Sequence, residues 1–267
     1  GSEVFFDSKN FITHAEKSAE NIYKANQVRN NPDFKFYAII QGIDYMTYKQ
    51  WYKILKNEKV DGYCLKSANT HPISIADSCL FAYFNLDKPI HFLGVENFSR
   101  SVICTYFSKY YKHPISFDGS SWSMGCRLRS YRLPFSSSSS IQILSDVKEE
   151  EKEQGEDGEE VQALTGLDTF DFCSCPACVI VDSIPELQKD IRLGILLSLH
   201  NLYQVILRTN LLQKMIGNRK LLDKFVRSSV GSSMAERILL GFDFIDYAIE
   251  HGYDMAKEKY RFQLCPV

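Results

Sequence analysis

Phe-Tyr-Ala-Ile-Ile-Gln-Gly, at residues 36–42, is an apolar run that ends in one polar residue and a glycine. A buried strand has this length and composition, and a segment typical of a helix follows at residues 48–56. The same alternation recurs along the first half of the chain and predicts βα units around a parallel sheet. Further strands are predicted at 61–66, 90–95 and 114–119, and further helices at 10–27, 74–84 and 99–110.

Polar residues stand at the ends of these predicted strands, namely Gln41, Lys66, Glu96 and Asp118. In α/β folds the carboxyl ends of parallel strands form the active site, so we expect function there. Four βα units make half of an eight-stranded barrel. The fold class predicted is therefore α/β, either half of a TIM-like (β/α)8 barrel or a smaller open sheet.

A second feature is the cluster Cys-Ser-Cys-Pro-Ala-Cys, which contains Cys173, Cys175 and Cys178, followed 22 residues later by His200 in an apolar, helix-like run. Three thiolates and one imidazole form the tetrahedral set that structural zinc prefers. Four protein ligands leave no open position for water, so we predict a structural Zn2+. The alternative is three ordinary cysteines in a surface loop.

The remaining cysteines are scattered, and eight cysteines in 267 residues do not form a disulfide framework. This usage predicts a reducing, cytoplasmic compartment. No run reaches the about 18 consecutive apolar residues that a membrane span needs, so no membrane partner is predicted.

Three regions are predicted along the chain: a partial barrel at 1–135, a flexible Ser-rich and acidic insertion at 136–165, and a zinc-binding helical subdomain at 166–267. Residues 146–160 carry nine acidic and two basic side chains, a local charge of -7. Subtracting it from the net charge of -2 leaves about +5 for the rest, which permits a polyanionic partner. Helices are predicted at 184–216, 219–230 and 234–250.

The cysteine cluster followed by His200-Asn201 in a helix resembles the tRNA-guanine transglycosylase superfamily. Three other pieces match in the same order. Residues 36–42 resemble that family's strand ending in Val-Gln-Gly, residues 92–95 resemble its Met-Gly-Val strand, and residues 116–118 resemble the strand that carries its catalytic aspartate. The resemblance covers about residues 10–216.

The resemblance implies the C-terminal half of a zinc-bearing (β/α)8 barrel that exchanges guanine in a nucleic acid for a 7-deazaguanine base. Asp118 would be the nucleophile that attacks C1′ and forms a covalent intermediate. Gln41 would read the edge of the base, Gly42 and Lys66 would also bind substrate, and Arg127 would contact phosphate. The alternatives are a turn residue for Asp118, a strand-end polar residue for Gln41 and a solvated basic surface for Arg127.

The sequence departs from the tRNA-acting members after the nucleophile strand. Asp118-Gly-Ser-Ser-Trp122 is more similar to the DNA-acting relatives, and Lys66-Ser-Ala-Asn69 replaces the Gly-Gly-Leu loop of the tRNA enzymes. DNA is therefore the favoured substrate, and a tRNA transglycosylase subunit is the alternative. A zinc scaffold that binds nucleic acid without catalysis, using Trp122 for stacking, also remains, as does an unrelated zinc module for protein interaction.

The first half of that family's barrel carries its general base, and no part of this sequence resembles it. We therefore expect a second chain or an N-terminal half to complete the barrel, because half a barrel exposes strand edges and core.

Overall fold

The computed structural model describes residues 8–67, 71–95, 97–120, 122–123, 130–132, 140–142, 173–180 and 193–264. The chain divides into two compact units. The sheet unit draws its described residues from 8–95, 99–118 and 236–264, and the cysteine unit draws its own from 97–98 and 119–235.

The sheet unit contains a four-stranded parallel sheet in the order β1-β2-β3-β4, as the sequence predicts. Consecutive strands are joined through helices, so an α/β fold with successive βα units is confirmed. The elements are α1 (Ser8–Val28), β1 (Tyr37–Gly42), α2 (Tyr45–Leu55), β2 (Gly62–Ser67), α3 (Pro72–Asn85), β3 (Ile90–Phe92), α4 (Phe98–Phe107) and β4 (Ile115–Phe117).

Local signals set the beginnings of the helices. Asp44 caps α2 by accepting from the amide of Thr47 at 2.8 Å, and Thr47 accepts from the amide of Asp44 in return. This reciprocal capping box satisfies amides that have no partner within the helix. In α3 the ring of His71 accepts from the amide of Ile73, and Pro72 occupies the first turn, where its missing N–H costs nothing.

The two faces of the sheet differ in burial. Ala38, Ile40, Leu65 and Phe92 are buried on one face, on which the helices pack. On the other face Ile39 is 46% exposed. Parallel sheets are normally covered on both faces, so this open face is an unusual feature of the sheet unit.

The open face consists of residues that share strand register. Ile39, Cys64, His91 and Ser116 form one row across the four strands. Gln41 and Lys66 pair in the next row, toward the carboxyl ends of the strands. Asp118 lies two residues after Ser116, and alternation along the strand places it on the same face.

The C-terminal helices of the sheet unit pack on its earlier helices. They are α7 (Ser232–His251, of which residues 236–251 belong to this unit), α8 (Tyr253–Lys259) and α9 (Arg261–Leu264). Phe242 stacks on Tyr106 with ring centroids 4.1 Å apart, and Tyr253 stacks on Tyr45 at 3.8 Å. The region 166–267, predicted from sequence as one helical subdomain, is thus distributed over both units.

The cysteine unit contains the helices α5 (Leu193–Met215) and α6 (Arg219–Ser229), a short 3-10 helix (Cys178–Ile180) and a two-stranded antiparallel sheet. The strands of that sheet are β5 (Ser130–Arg132) and β6 (Ser140–Gln142). Strand β6 falls inside the insertion predicted at residues 136–165. The rest of 136–165, with both of its predicted boundaries, lies outside the described residues.

None of the helices in the described part of the chain combines the length and the apolar character that crossing a membrane requires. The described cysteines are free thiols rather than disulfides.

Candidate functional site

The predicted metal ligands come together in the cysteine unit. Cys173, Cys175 and Cys178 lie on one short turn, and His200 projects from α5. Their ligand atoms all lie within 4.8 Å of one another, so the cluster could hold a metal ion. His200 and Cys175 are each only 1% exposed, which gives the site a dry environment.

The distances fit a tetrahedral ion. Nδ1 of His200 lies 3.6 Å from the sulfur of Cys173, 3.3 Å from that of Cys175 and 3.2 Å from that of Cys178. Tetrahedral zinc with Zn–S of about 2.3 Å and Zn–N of about 2.0 Å requires an S···N separation of about 3.5 Å. The cluster therefore has the donor set and the size that a structural metal needs.

The hydrogen bond of Nε2 determines which ring nitrogen of His200 carries the hydrogen. Nε2 lies 2.7 Å from the carbonyl oxygen of Arg132, which can only accept, so Nε2 carries the hydrogen. Nδ1 then presents its lone pair to the three sulfurs. A ligating histidine that donates to a backbone carbonyl in this way is the usual outer-shell arrangement of a metal site.

Asn201, the neighbour of His200, also binds β5, the strand that contains Arg132. Its Oδ1 accepts from the amide of Arg132 at 3.0 Å, and its Nδ2 donates to the carbonyl of Trp122 at 3.3 Å. Both backbone groups of Arg132 are therefore bound by two consecutive side chains of α5. The metal-bearing helix consequently fixes β5 and the segment around Trp122.

Two further side chains contact the sulfurs and the imidazole. The ring of Tyr131 stacks on His200 with centroids 3.9 Å apart, and its hydroxyl lies 3.2 Å from the sulfur of Cys178. Gln204 donates from Nε2 to the sulfur of Cys173 at 3.4 Å. These contacts orient the ligands before any ion binds.

Burial sets the protonation of the ligand residues. It raises the pKa of Cys175 and of Cys178, and it lowers the pKa of His200 to about 4. At neutral pH the histidine is therefore neutral and ready to bind, whereas the thiols of Cys175 and Cys178 hold their protons until a cation displaces them.

The second site lies at the carboxyl ends of the strands in the sheet unit. The carboxylate of Asp118 is 56% exposed, and its Oδ1 accepts from the amide of Gly94 at 2.7 Å. Its Oδ2 lies 3.5 Å from Nε2 of His91. Gly94 has φ of +69°, a left-handed conformation that favours glycine and turns its amide toward Asp118.

The predicted substrate-binding residues occupy different surroundings. Lys66 is exposed, and Gln41 lines a cavity of about 300 Å³ with side chains of α1 and α2. Gly42 is buried, and a Cβ there would lie 2.7 Å from the ring of Tyr48, so close packing explains this glycine. The cavity is lined by His14, Lys17, Ser18, Asn21, Gln41 and Trp51.

Arg127 lies outside the described residues. Trp122 is half-buried, and its indole N–H donates to the carbonyl of Gly119 at 2.9 Å. Sequence reasoning missed His91 and Gly94 as neighbours of Asp118. A histidine inside an otherwise apolar predicted strand was the signal that could have identified the first of them.

Comparison with known proteins gives no relative from which to assign a family, because neither a family model nor a curated protein matches this chain.

Proposed function

We propose that this protein is a guanine transglycosylase that replaces guanine in DNA with a 7-deazaguanine base, using Asp118 as the nucleophile. The observation that carries the proposal is the position of Asp118. An exposed carboxylate, oriented by a backbone amide, lies at the carboxyl end of β4 on the same open face as Gln41 and Lys66.

The chemistry suits this carboxylate. An oxygen of Asp118 attacks C1′, the bond from C1′ to N9 breaks, and its electrons leave with guanine, which takes up a proton. The incoming base then loses a proton, attacks C1′ and releases the carboxylate. Gln41 supplies an amide with a donor and an acceptor for the edge of a base, and Lys66 supplies a cation for a phosphate.

The proposed zinc ion is structural. Cys173, Cys175, Cys178 and His200 would hold it with four protein ligands and no position for water. Its role is to fix α5, from which His200 and Asn201 bind both backbone groups of Arg132. No step of the base exchange passes through the ion.

A second chain, or an N-terminal half, is proposed to complete the barrel. The open face supports this, because Ile39 is 46% exposed at the β1 end of a row whose other members are Cys64, His91 and Ser116. Within the described residues β1 and β4 each pair on one side only, so each offers an edge to further strands. We propose that this half supplies the general base.

The experiment is a covalent capture assay. The tagged chain is purified from its own host, so that natural partners are retained, and is incubated with guanine-containing duplex DNA or with tRNA without an acceptor base. The expected result is a denaturation-resistant adduct with DNA that disappears in Asp118→Asn. Asp254→Asn, an exposed aspartate in α8, is the matched control and should retain the adduct.

Each outcome separates the alternatives. An adduct formed with tRNA alone would replace DNA by tRNA as the substrate. An adduct that persists in Asp118→Asn would remove Asp118 as the nucleophile. Nucleic-acid binding without any adduct would overturn the transglycosylase and leave a zinc-containing binding subunit.

A further inference from the structure

His91 joins two polar side chains of the neighbouring strand on the open face. Its Nδ1 lies 2.9 Å from Oγ of Ser116, and its Nε2 lies 3.5 Å from Oδ2 of Asp118. Ser116 is the residue that pairs with His91 in the register of β3 and β4. The three side chains therefore form one continuous chain of contacts that ends at the carboxylate.

The carboxylate of Asp118 determines the direction of the hydrogen bonds among these three side chains. An ionised carboxylate can only accept, so Nε2 of a neutral His91 must carry the hydrogen to make a favourable contact with Asp118. Nδ1 is then an acceptor, and the hydroxyl of Ser116 donates to it. Asp118 thus selects the tautomer of His91, and Ser116 supports it by donating to Nδ1.

Among the described residues, neither Cys64 nor the amide of Gly94 competes for the hydrogen of His91. Cys64 faces His91 in register from β2. Burial first, and then the charge of Asp118, raise the pKa of Cys64, so this thiol is neutral and carries no charge that would attract the imidazole. The amide of Gly94 binds Oδ1, which leaves Oδ2 for His91.

We propose that His91 is a positioning residue for the nucleophile: its Nε2–H, supported by the hydrogen bond of Nδ1 with Ser116, holds Oδ2 of Asp118 while the amide of Gly94 holds Oδ1. The inference rests on the proposed function of Asp118. Two donors on two oxygens define the plane of the carboxylate and keep its outer lone pairs directed toward the open face. The 3.5 Å contact is longer than an optimal hydrogen bond of about 2.9 Å, as is common before a substrate binds.

The first test does not depend on activity. The full chain contains six histidines, so 15N-histidine labelling gives few signals, and the signal lost in His91→Gln identifies His91. The nitrogen shifts of the wild-type protein should show hydrogen on Nε2. Asp118→Ala and Ser116→Ala should each shift His91 toward a mixture of tautomers. Hydrogen on Nδ1 in the wild-type protein, or a tautomer unaffected by both substitutions, would overturn the inference.

The second test compares two amides that replace the imidazole. The Nε2 of glutamine occupies about the position of the imidazole Nε2, whereas the nitrogen of asparagine occupies that of Nδ1. We expect His91→Gln to form the DNA adduct within about 3-fold of the wild-type rate, and His91→Asn to be slower by about 10- to 100-fold, the scale of a misplaced reacting group. His251→Gln, an exposed histidine at the end of α7, is the control and should match the wild-type rate.

Failure of this inference differs from failure of the proposed function. Equal adduct rates for His91→Gln, His91→Asn and the wild-type protein would remove the role of His91 and leave Asp118 as the nucleophile. No adduct with the wild-type protein would remove the transglycosylase and the catalytic role of His91 together.

Discussion

His200→Ala removes the one ligand of the metal cluster that comes from an α-helix. The substitution deletes the nitrogen that lies within 3.6 Å of all three sulfurs and leaves a three-thiol set. It also deletes the hydrogen bond from Nε2 to the carbonyl of Arg132 and the stacking on Tyr131. Metal affinity and stability should therefore fall together.

The magnitude follows from these contacts. A buried carbonyl left without its donor costs about 1–3 kcal/mol, and the lost aromatic stacking costs about 0.5–1.5 kcal/mol. The direct loss of stability is therefore about 1.5–4.5 kcal/mol. Each 100-fold decrease in metal affinity removes about a further 2.7 kcal/mol at a fixed metal concentration, because the ion stabilises only the folded chain.

The assay measures zinc per chain by mass spectrometry and the release of zinc to a coloured chelator. The wild-type protein should hold one zinc and release it slowly, and His200→Ala should lose it at once. Tyr131→Phe keeps the ring and removes the hydroxyl 3.2 Å from Cys178, so its affinity should fall by only about 10-fold. One zinc in His200→Ala, with unchanged resistance to the chelator, would refute the reasoning.

Three other predictions concern the sheet unit. Burial raises the pKa of Asp77 from its ordinary 3.8 to about 7. Between these two values the folded chain binds more protons than the unfolded chain, so the free energy of unfolding falls as the pH rises. Asp77→Asn should abolish this fall when urea unfolding is compared at pH 5 and pH 8. Gly94→Ala should lower the free energy of unfolding by about 1–2 kcal/mol in the same assay, because φ of Gly94 is +69°. Gly231 is the control: an added Cβ would meet no atom within 4 Å at either glycine, but Gly231 has an ordinary φ, so Gly231→Ala should lower this free energy less. Lys66→Gln should weaken DNA binding and lower the slope of log affinity against log salt by about 1, and an unchanged slope would exclude a phosphate contact.

Much of the sheet could be predicted from the sequence, because its signals are local. Apolar runs such as residues 36–42 are too short for helices and end at polar residues or glycine. The observed β1 and β2 therefore lie within one residue of the predicted strands. The metal cluster could also be predicted from the sequence, because three cysteines within six residues need only one distant ligand. His200 was the one histidine in the apolar helix predicted after them.

What the sequence did not show depends on register and on distant contacts. The contact between His91 and Asp118 exists because β3 and β4 pair with His91 opposite Ser116, and no local pattern specifies that alignment. Strand β6 begins at the last of five serines, a composition typical of loops, yet pairing with β5 makes it a strand. Tertiary pairing there outweighs local preference.

The packing of the C-terminal helices could not be predicted from the sequence either. The amphipathic pattern of α7 predicts a helix but does not identify what covers its apolar side. Phe242 stacks on Tyr106, and the hydroxyl of Tyr106 donates to Asp246 at 2.7 Å. These contacts span about 140 residues of sequence, so only the folded chain reveals that residues 236–264 belong with the sheet.

The central claim is that a carboxylate at the end of β4 bonds to a sugar carbon, and peptide mapping of the adduct tests it most directly. The protein is incubated with guanine-containing DNA without an acceptor base, digested with protease and nuclease, and analysed by mass spectrometry. We predict one peptide whose added mass is a base-free deoxyribose phosphate attached to Asp118. The same mass on another residue, or its absence from every peptide while guanine is released, would contradict the account.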